Sequence, residues 1–290
     1  MTGEAAGVPF LAVPPANGSR LTAPIVVAWH MMDAPRTEGA FAAALPLDGL
    51  DAWRIYLGLP LCGSRLPEGG FDEIMRLGYE DAVLNLQGPV VTQAAEEFPA
   101  ALDELRRRLG LGDGPVSLVG GSVGAAVALL VAVEGDIAVE AAVLVSPLVQ
   151  LRPAVDAMAR QFGFDYPWST ASDEVAARLD FVARADEIAQ SGAPAMLLVV
   201  GEKDDADGFI TPTHALRDAL ADRYAERRAA HPGTARTGGS LAGDGDRVRI
   251  TVVPGMAHAI AEEPGMEPAP QTPHAAEVDR HTVDWLRRHL

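Results

Sequence analysis

The stretch at residues 116–130 constrains the fold of this chain more than any other, because it combines a strand, a sharp turn and a helix. Its first part is an apolar run of strand length, and its last part is rich in alanine, with no helix breaker before Gly135. Between them, residues 120–124 read Gly-Gly-Ser-Val-Gly and match the pattern G-x-S-x-G in the strand–turn–helix setting that the pattern requires. The sequence therefore predicts that Ser122 lies at the tip of a sharp turn.

A serine in this position is suited to act as a nucleophile. The backbone at so sharp a turn is strained, so its neighbours must be small, and glycine meets that need. The N-terminus of the following helix favours negative charge near Ser122. Two other interpretations compete: a dinucleotide-binding turn, which needs glycine at position 122, and a close-packed turn whose serine caps the helix.

Apolar segments of strand length alternate with helical segments along most of the chain. This alternation predicts an α/β fold with a mostly parallel central sheet and helices on both faces. Residues 8–13 contain Pro9 and are predicted to form an edge strand. We expect one domain over residues 1–290, with a small helical cap inserted at residues 150–192. The further strands are predicted at residues 25–30, 53–57, 116–121, 141–146, 195–201 and 248–253.

Three of the predicted strands are followed by residue types that work together in nucleophilic catalysis. Reactive groups in such sheets gather beyond the carboxyl ends of the strands. Ser122 follows one strand, the acidic run at residues 202–208 follows another, and His258 follows the last strand. A serine hydroxyl needs an imidazole to take its proton, and the imidazole needs a carboxylate to orient it. The order Ser, Asp, His is that of one type of hydrolase triad.

On these motifs the chain resembles the α/β-hydrolase superfamily, nearest to its esterase, dienelactone-hydrolase and prolyl-oligopeptidase-like branches, from about residue 25 to the C-terminus. The resemblance implies the α/β-hydrolase fold, and it places the acid on Asp204, in the Gly-x-x-Asp turn, and the base on His258. Asp205 and Asp207 remain alternatives for the acid. The acidic run also resembles part of a calcium loop, but Lys203 and residue 214 lack the required acids, so we expect no metal.

The resemblance also implies an oxyanion hole, formed by the N–H of Val123 and an N–H from the loop at residues 29–33. Relatives carry glycine where Met31 stands, so the second donor is assigned to Met32, with Met31 as the alternative. His30 is expected to make structural hydrogen bonds. Four aromatic residues of the insertion are candidates for an apolar wall of the substrate site, with packing of the cap against the core as the alternative. They are Phe162, Phe164, Tyr166 and Trp168.

Composition excludes several other classes of function. A net charge of −17, from 40 acidic and 23 basic residues, disfavours binding to nucleic acid or to an anionic membrane. Cys62 is the only cysteine, which excludes an internal disulfide and a cysteine-built zinc site. The absence of a signal peptide and of a long apolar run predicts a cytoplasmic location. Residues 229–246, rich in Gly, Ala, Thr and Asp, are predicted to be a mobile excursion.

Together these features predict a serine hydrolase that cleaves a small-molecule carboxylic ester or a related acyl bond through an acyl-enzyme. Ser122 would attack, His258 would carry the proton, and Asp204 would orient His258; no cofactor is implied. An acyltransferase or a thioesterase could use the same three residues. A non-catalytic receptor or interaction protein with this fold is the alternative from another class.

Overall fold

The computed structural model describes residues 1–17, 21–230 and 247–290. In this part of the chain, eight strands form one sheet, in the order β1-β2-β4-β3-β5-β6-β7-β8. β2 runs antiparallel to β1 and β4, and the other neighbouring strands are parallel. The strands are β1 (Thr2–Ala5), β2 (Val8–Val13), β3 (Ile25–Trp29), β4 (Trp53–Leu57), β5 (Val116–Gly121), β6 (Val139–Val145), β7 (Ala195–Gly201) and β8 (Val248–Val253).

The N-terminal hairpin corrects one prediction, because β2 is not an edge strand. Thr2–Ala5 pairs with it on one side and β4 pairs with it on the other. The hairpin turn consists of Ala6 and Gly7, whose φ angles of 48° and 80° are both positive, as tight hairpin turns require. Pro9 joins the sheet through its carbonyl oxygen, which accepts from the N–H of Gly58 at 2.9 Å.

Helices cover both faces of the sheet, as the alternation of strands and helices predicts. Successive residues of β3 point to opposite faces: Val27 packs into one apolar core and Val26 into the other. α1 and α9 pack on the face of Val26, whereas α3, α4 and α8 pack on the face of Val27. The helices are α1 (Glu38–Ala44), α2 (Gly70–Asp81), α3 (Gly88–Leu109), α4 (Val123–Glu134), α5 (Leu151–Gln161), α6 (Thr170–Arg178), α7 (Ala185–Gln190), α8 (Thr211–Ala230) and α9 (Pro273–His289).

The segment between β6 and β7 contains α5, α6 and α7. α5 packs against a π-helical turn, Ala206–Ile210, that leads into α8: a Cβ atom on Gly208 would lie 2.8 Å from the Cβ atom of Ala157. That this segment acts as a cap stays a prediction. Among the described residues, no helix has the length and apolar character needed to span a bilayer. The predicted excursion lies, from residue 231 onward, outside the described residues.

Candidate active site

Ser122 occupies the turn between β5 and α4 in a strained backbone conformation, with φ 48° and ψ −114°. Positive φ is costly for a residue with a side chain, and it persists only where the surroundings impose it. Here the N–H of Ser122 donates to the carbonyl oxygen of Val145 at 2.9 Å, and its own carbonyl accepts from Leu148 N–H at 3.2 Å. The end of β6 and the residues after it therefore hold the serine turn from the side.

Two glycines of the motif allow the backbone to pack closely around this turn. A Cβ atom at Gly120 would lie 2.3 Å from the carbonyl oxygen of Gly124, and one at Gly124 would lie 2.4 Å from the carbonyl oxygen of His30. These distances are far shorter than atomic contacts allow. The absence of a side chain at these two glycines therefore allows α4 to pack closely against the sheet. It also allows the loop after β3 to contact the start of α4.

The chain brings His258 and Asp204 to Ser122 from the ends of two further strands. His258 Nε2 lies 2.8 Å from Ser122 Oγ, and His258 Nδ1 lies 3.0 Å and 3.1 Å from the two carboxylate oxygens of Asp204. The Asp204 side chain is 1% exposed. With its proton on Nδ1, the imidazole donates to the carboxylate and accepts from the serine hydroxyl. This arrangement can draw the proton from Ser122.

Two hydrogen bonds join the loop after β7 to the loop after β8. The N–H of Lys203 donates to the carbonyl oxygen of Met256 at 2.8 Å, and the N–H of Gly255 donates to the carboxylate of Glu202, also at 2.8 Å. The bonded residues lie just before Asp204 and just before His258 in the sequence. The two bonds therefore hold together the loops that carry these two side chains.

The two neighbouring aspartates lie in other environments. Asp205 accepts from the N–H groups of Asp207 and Gly208, at 3.1 Å and 2.7 Å, and so caps the π-helical turn. Asp207 is exposed and pairs with Arg160 at 3.4 Å. Of the three carboxylates that the sequence left open, Asp204 is the one in contact with His258.

The surroundings of His258 decide its protonation. Burial lowers the pKa of His258, but the hydrogen bond that the ring donates to Asp204 and the charges of Asp204 and Asp33 outweigh burial and raise the pKa above its ordinary value of 6.5. Asp33 Oδ2 lies 3.7 Å from His258 Nε2. Phe209 packs on the imidazole, with 4.2 Å between the ring centroids. Sequence reasoning missed both neighbours, although Asp33 directly follows Met32 in the loop singled out there.

The loop after β3 holds the candidate oxyanion donors. Val123 is the first residue of α4, and the first N–H groups of a helix have no partner within the helix. The N–H of Met31 donates to the carbonyl oxygen of Pro35 at 3.3 Å, so it is already engaged. Met32 fits the second donor position better than Met31, because the described residues place no acceptor on its N–H.

His30 is buried and supports this loop. The N–H of Leu59 donates to His30 Nε2 at 3.1 Å, so the ring proton is on Nδ1, which donates to the carbonyl oxygen of Met31 at 2.7 Å. Burial lowers the pKa of His30 to about 4, so the ring is neutral at ordinary pH. The expectation of a structural role for His30 agrees with these contacts.

The four aromatic residues of the insertion lie in two settings. Phe162 and Phe164 are exposed, and the ring of Phe162 packs edge-on against that of Tyr79. Tyr166 is buried and donates to the carboxylate of Asp81, while Trp168 packs on Tyr166 and donates to Asp156 at 2.8 Å. Their part in binding substrate stays a prediction.

Comparison with known proteins places the chain in a family. The sequence model of one family, described as putative esterase, matches residues 89–243, more than half of the chain. No curated protein matches the chain in sequence.

Several solved structures share the fold. TT1662 from Thermus thermophilus has a TM-score of 0.56 and 17% identity, over 99% of this chain and 96% of that protein. A monoacylglycerol lipase from Paleococcus ferrophilus has a TM-score of 0.54 and 17% identity, over 98% and 99%. A puromycin-hydrolyzing peptidase from Mycobacterium tuberculosis has a TM-score of 0.58 and 17% identity, but the match covers 98% of this chain and 38% of the peptidase. At these identities the likeness shows the fold alone. The chain belongs to the putative esterase family, and it is a serine hydrolase of the α/β-hydrolase type.

Proposed function

We propose that this protein is a carboxylesterase that cleaves small-molecule esters through a Ser122–His258–Asp204 triad. One observation carries the proposal: an unbroken hydrogen-bonded chain runs from Ser122 Oγ through both nitrogens of His258 to Asp204, with 2.8 Å at its first step. Nucleophile, base and orienting acid are the three parts that acyl transfer by serine requires.

In the proposed first stage, Ser122 Oγ attacks the ester carbonyl carbon while His258 Nε2 takes the hydroxyl proton. Asp204 keeps the other proton on Nδ1 and stabilises the imidazolium that forms. The carbonyl oxygen becomes an oxyanion, which the N–H groups of Val123 and Met32 would bind. When the tetrahedral intermediate collapses, the carbon–oxygen bond to the alcohol breaks and His258 gives its proton to that alcohol.

In the second stage, water repeats the same sequence on the acyl-enzyme. His258 takes a proton from the water, whose oxygen attacks the acyl carbon, and the proton then returns to Ser122 Oγ as the carboxylic acid leaves. The three side chains end in the state in which they began.

Two considerations favour an ester as the scissile bond. The matched family is described as esterase, and the match to a monoacylglycerol lipase covers nearly all of both chains. The match to a peptidase covers less than half of that protein. Thioesters, lactones and peptide bonds use the same chemistry and form the comparison set for the experiment.

The experiment is a hydrolysis screen with nitrophenyl esters of increasing acyl length, with lactones, thioesters and aminoacyl nitroanilides alongside. We expect turnover of esters by the wild type and a loss of about 10⁴-fold or more in Ser122→Ala. Ser191→Ala, at an exposed serine directly after α7, is the matched control. Turnover that is equal in the wild type and Ser122→Ala would remove the proposed nucleophile.

A further inference from the structure

His258 faces a second carboxylate, on the edge of the ring opposite Asp204. Asp33 Oδ2 lies 3.7 Å from His258 Nε2, and the Asp33 side chain is 51% exposed. Nε2 is also the atom that contacts Ser122 Oγ, at 2.8 Å. An accessible carboxylate therefore stands beside the point where substrate must enter.

Among residues 1–17, 21–230 and 247–290, no side chain neutralises this carboxylate permanently. In the part of the chain that the structure describes, His258 is the one partner that could pair with Asp33, and only when His258 is protonated. Arg36 is three residues away, but each of its three guanidine nitrogens is engaged: with Glu263, with the carbonyl oxygen of Pro264 and with the carbonyl oxygen of Met32. Within the described residues Asp33 thus has no permanent cationic partner, which leaves it able to pair with a cation on a bound ligand.

The position of this charge bears on the kind of substrate that the site favours. Asp33 follows Met32, whose N–H is the proposed second oxyanion donor. A carboxylate on the same loop disfavours the negative charge that develops on the carbonyl oxygen. A substrate that carries a cation next to Asp33 would cancel that effect, and would be attracted by the net charge of −17 as well.

We propose that Asp33 binds a cationic group on the leaving alcohol of the substrate, so that the enzyme prefers esters of amino alcohols or quaternary ammonium alcohols. This inference rests on the proposed esterase function. The leaving-group side follows from the geometry, because Nε2 is the atom that returns the proton to the departing alcohol and Asp33 lies beside it. A cation separated from the ester oxygen by two carbons can reach the carboxylate from there.

The test compares two esters of equal shape and different charge. Butyrylcholine is one, and the other is its uncharged carbon isostere, in which a tert-butyl group replaces the trimethylammonium group. Two unit charges about 4 Å apart in water-like surroundings interact by about 1 kcal/mol, or about fivefold in rate. We therefore compare the ratio of kcat/KM for the choline ester to kcat/KM for the isostere. We expect this ratio to be at least fivefold higher in the wild type than in Asp33→Asn.

Asp33→Asn keeps the shape of the side chain and removes its charge, so the ratio of the choline ester to the isostere should fall at least fivefold in this variant. The matched control is Asp103→Asn, at an exposed residue of α3 that makes the same charge change away from the site. The preference should also shrink as salt is raised, because the carboxylate is half exposed.

The effect of Asp33→Asn on the ratio of the two esters decides whether the inference holds. A ratio of the choline ester to the isostere that falls at least fivefold in Asp33→Asn and is kept in Asp103→Asn supports the inference. A ratio that is the same in the wild type and in Asp33→Asn overturns it and leaves the esterase proposal standing. If the wild type hydrolyses neither these esters nor any nitrophenyl ester, the proposed function fails, and the inference fails with it.

Discussion

His30 Nδ1 donates a hydrogen bond of 2.7 Å to the carbonyl oxygen of Met31, and this bond fixes the peptide that joins Met31 to Met32. In a planar trans peptide the N–H points away from the C=O, so the imidazole also fixes the direction of the Met32 N–H. The ring is held in turn by the N–H of Leu59, at 3.1 Å. His30 is therefore a positioning residue for the proposed oxyanion donor.

Replacing His30 with leucine should lower kcat about 10- to 100-fold with little change in KM, because a misdirected donor stabilises the transition state less. His30→Asn should recover part of that loss, since its amide N–H can donate to Met31 in the place of Nδ1. The measurement is steady-state hydrolysis of a nitrophenyl ester, with thermal unfolding of each variant as the control. Equal kcat in the wild type and the folded leucine variant would contradict this role.

The three aspartates after β7 should differ sharply in their effect on catalysis. Asp204→Asn should lower kcat about 10³- to 10⁴-fold, because the amide cannot stabilise the His258 cation and favours the wrong tautomer. Asp207→Asn should change kcat less than about threefold, since that carboxylate is exposed. Asp205→Asn should act mainly on stability, through the cap of the π-helical turn. Loss of turnover in Asp205→Asn or Asp207→Asn, but not in Asp204→Asn, would reassign the acid.

The pH dependence of turnover should report the protonation of His258. The neutral ring is the active base, and its pKa is raised above 6.5, so kcat/KM should rise with pH through that higher pKa and level off above it. The carboxylates facing the ring are Asp204 and Asp33. Removing the charge of Asp33 lowers the pKa, so the rise should begin at lower pH in Asp33→Asn. A shift to higher pH in that variant would contradict the stated cause.

Gly124 should tolerate no side chain. A Cβ atom there would lie 2.4 Å and 2.5 Å from the carbonyl oxygens of His30 and Trp29, and these backbone atoms cannot move aside cheaply. Gly124→Ala should therefore lower the free energy of unfolding by about 2–3 kcal/mol. Gly114→Ala, where nothing lies within 4 Å, is the control and should be nearly neutral. Urea unfolding of both variants measures the difference, and equal midpoints would refute the packing argument.

The parallel part of the sheet and the three residues at its strand ends could be predicted from the sequence, because both depend on local patterns. Apolar runs such as Ile25–Trp29 stand out against their flanks, and the order of Ser122, Asp204 and His258 follows from where three such runs end. Only the resemblance to the α/β-hydrolase superfamily, through its Gly-x-x-Asp turn, favoured Asp204 over its two acidic neighbours as the acid.

Features that depend on contacts between distant segments could not be predicted. Thr2–Ala5 shows no apolar alternation, and it becomes a strand because the Ala6–Gly7 turn returns the chain onto it. The helical spacing of Phe98, Leu102, Leu105 and Leu109 predicts the end of α3, but Gly88 and Pro89 suggest a break before it. The interruption lies earlier, at Asp81, whose backbone is extended, with φ −164° and ψ 102°. Its carboxylate caps the π-helical turn Ala82–Gln87, from which α3 follows.

Two further contacts of His258 also depend on distant segments, so they could not be predicted from the sequence. Asp33 and Phe209 reach the ring only once the sheet has assembled, and neither lies in a motif that marks its contact. In the loop after β3, Met31 stands where the resemblance implies glycine, and its side chain packs in the core against Gly121. The hydrogen bond from the N–H of Met31 to the carbonyl oxygen of Pro35, which favours Met32 as the proposed donor, has no local signature in the sequence.

Covalent labelling by a fluorophosphonate probe, followed by mass spectrometry of the peptides, tests the role of Ser122 most directly. The account predicts one adduct per folded chain, located on Ser122, with none in Ser122→Ala and much slower labelling in His258→Ala. An adduct on another serine, or no adduct on a folded wild-type protein that also hydrolyses no ester, would contradict it.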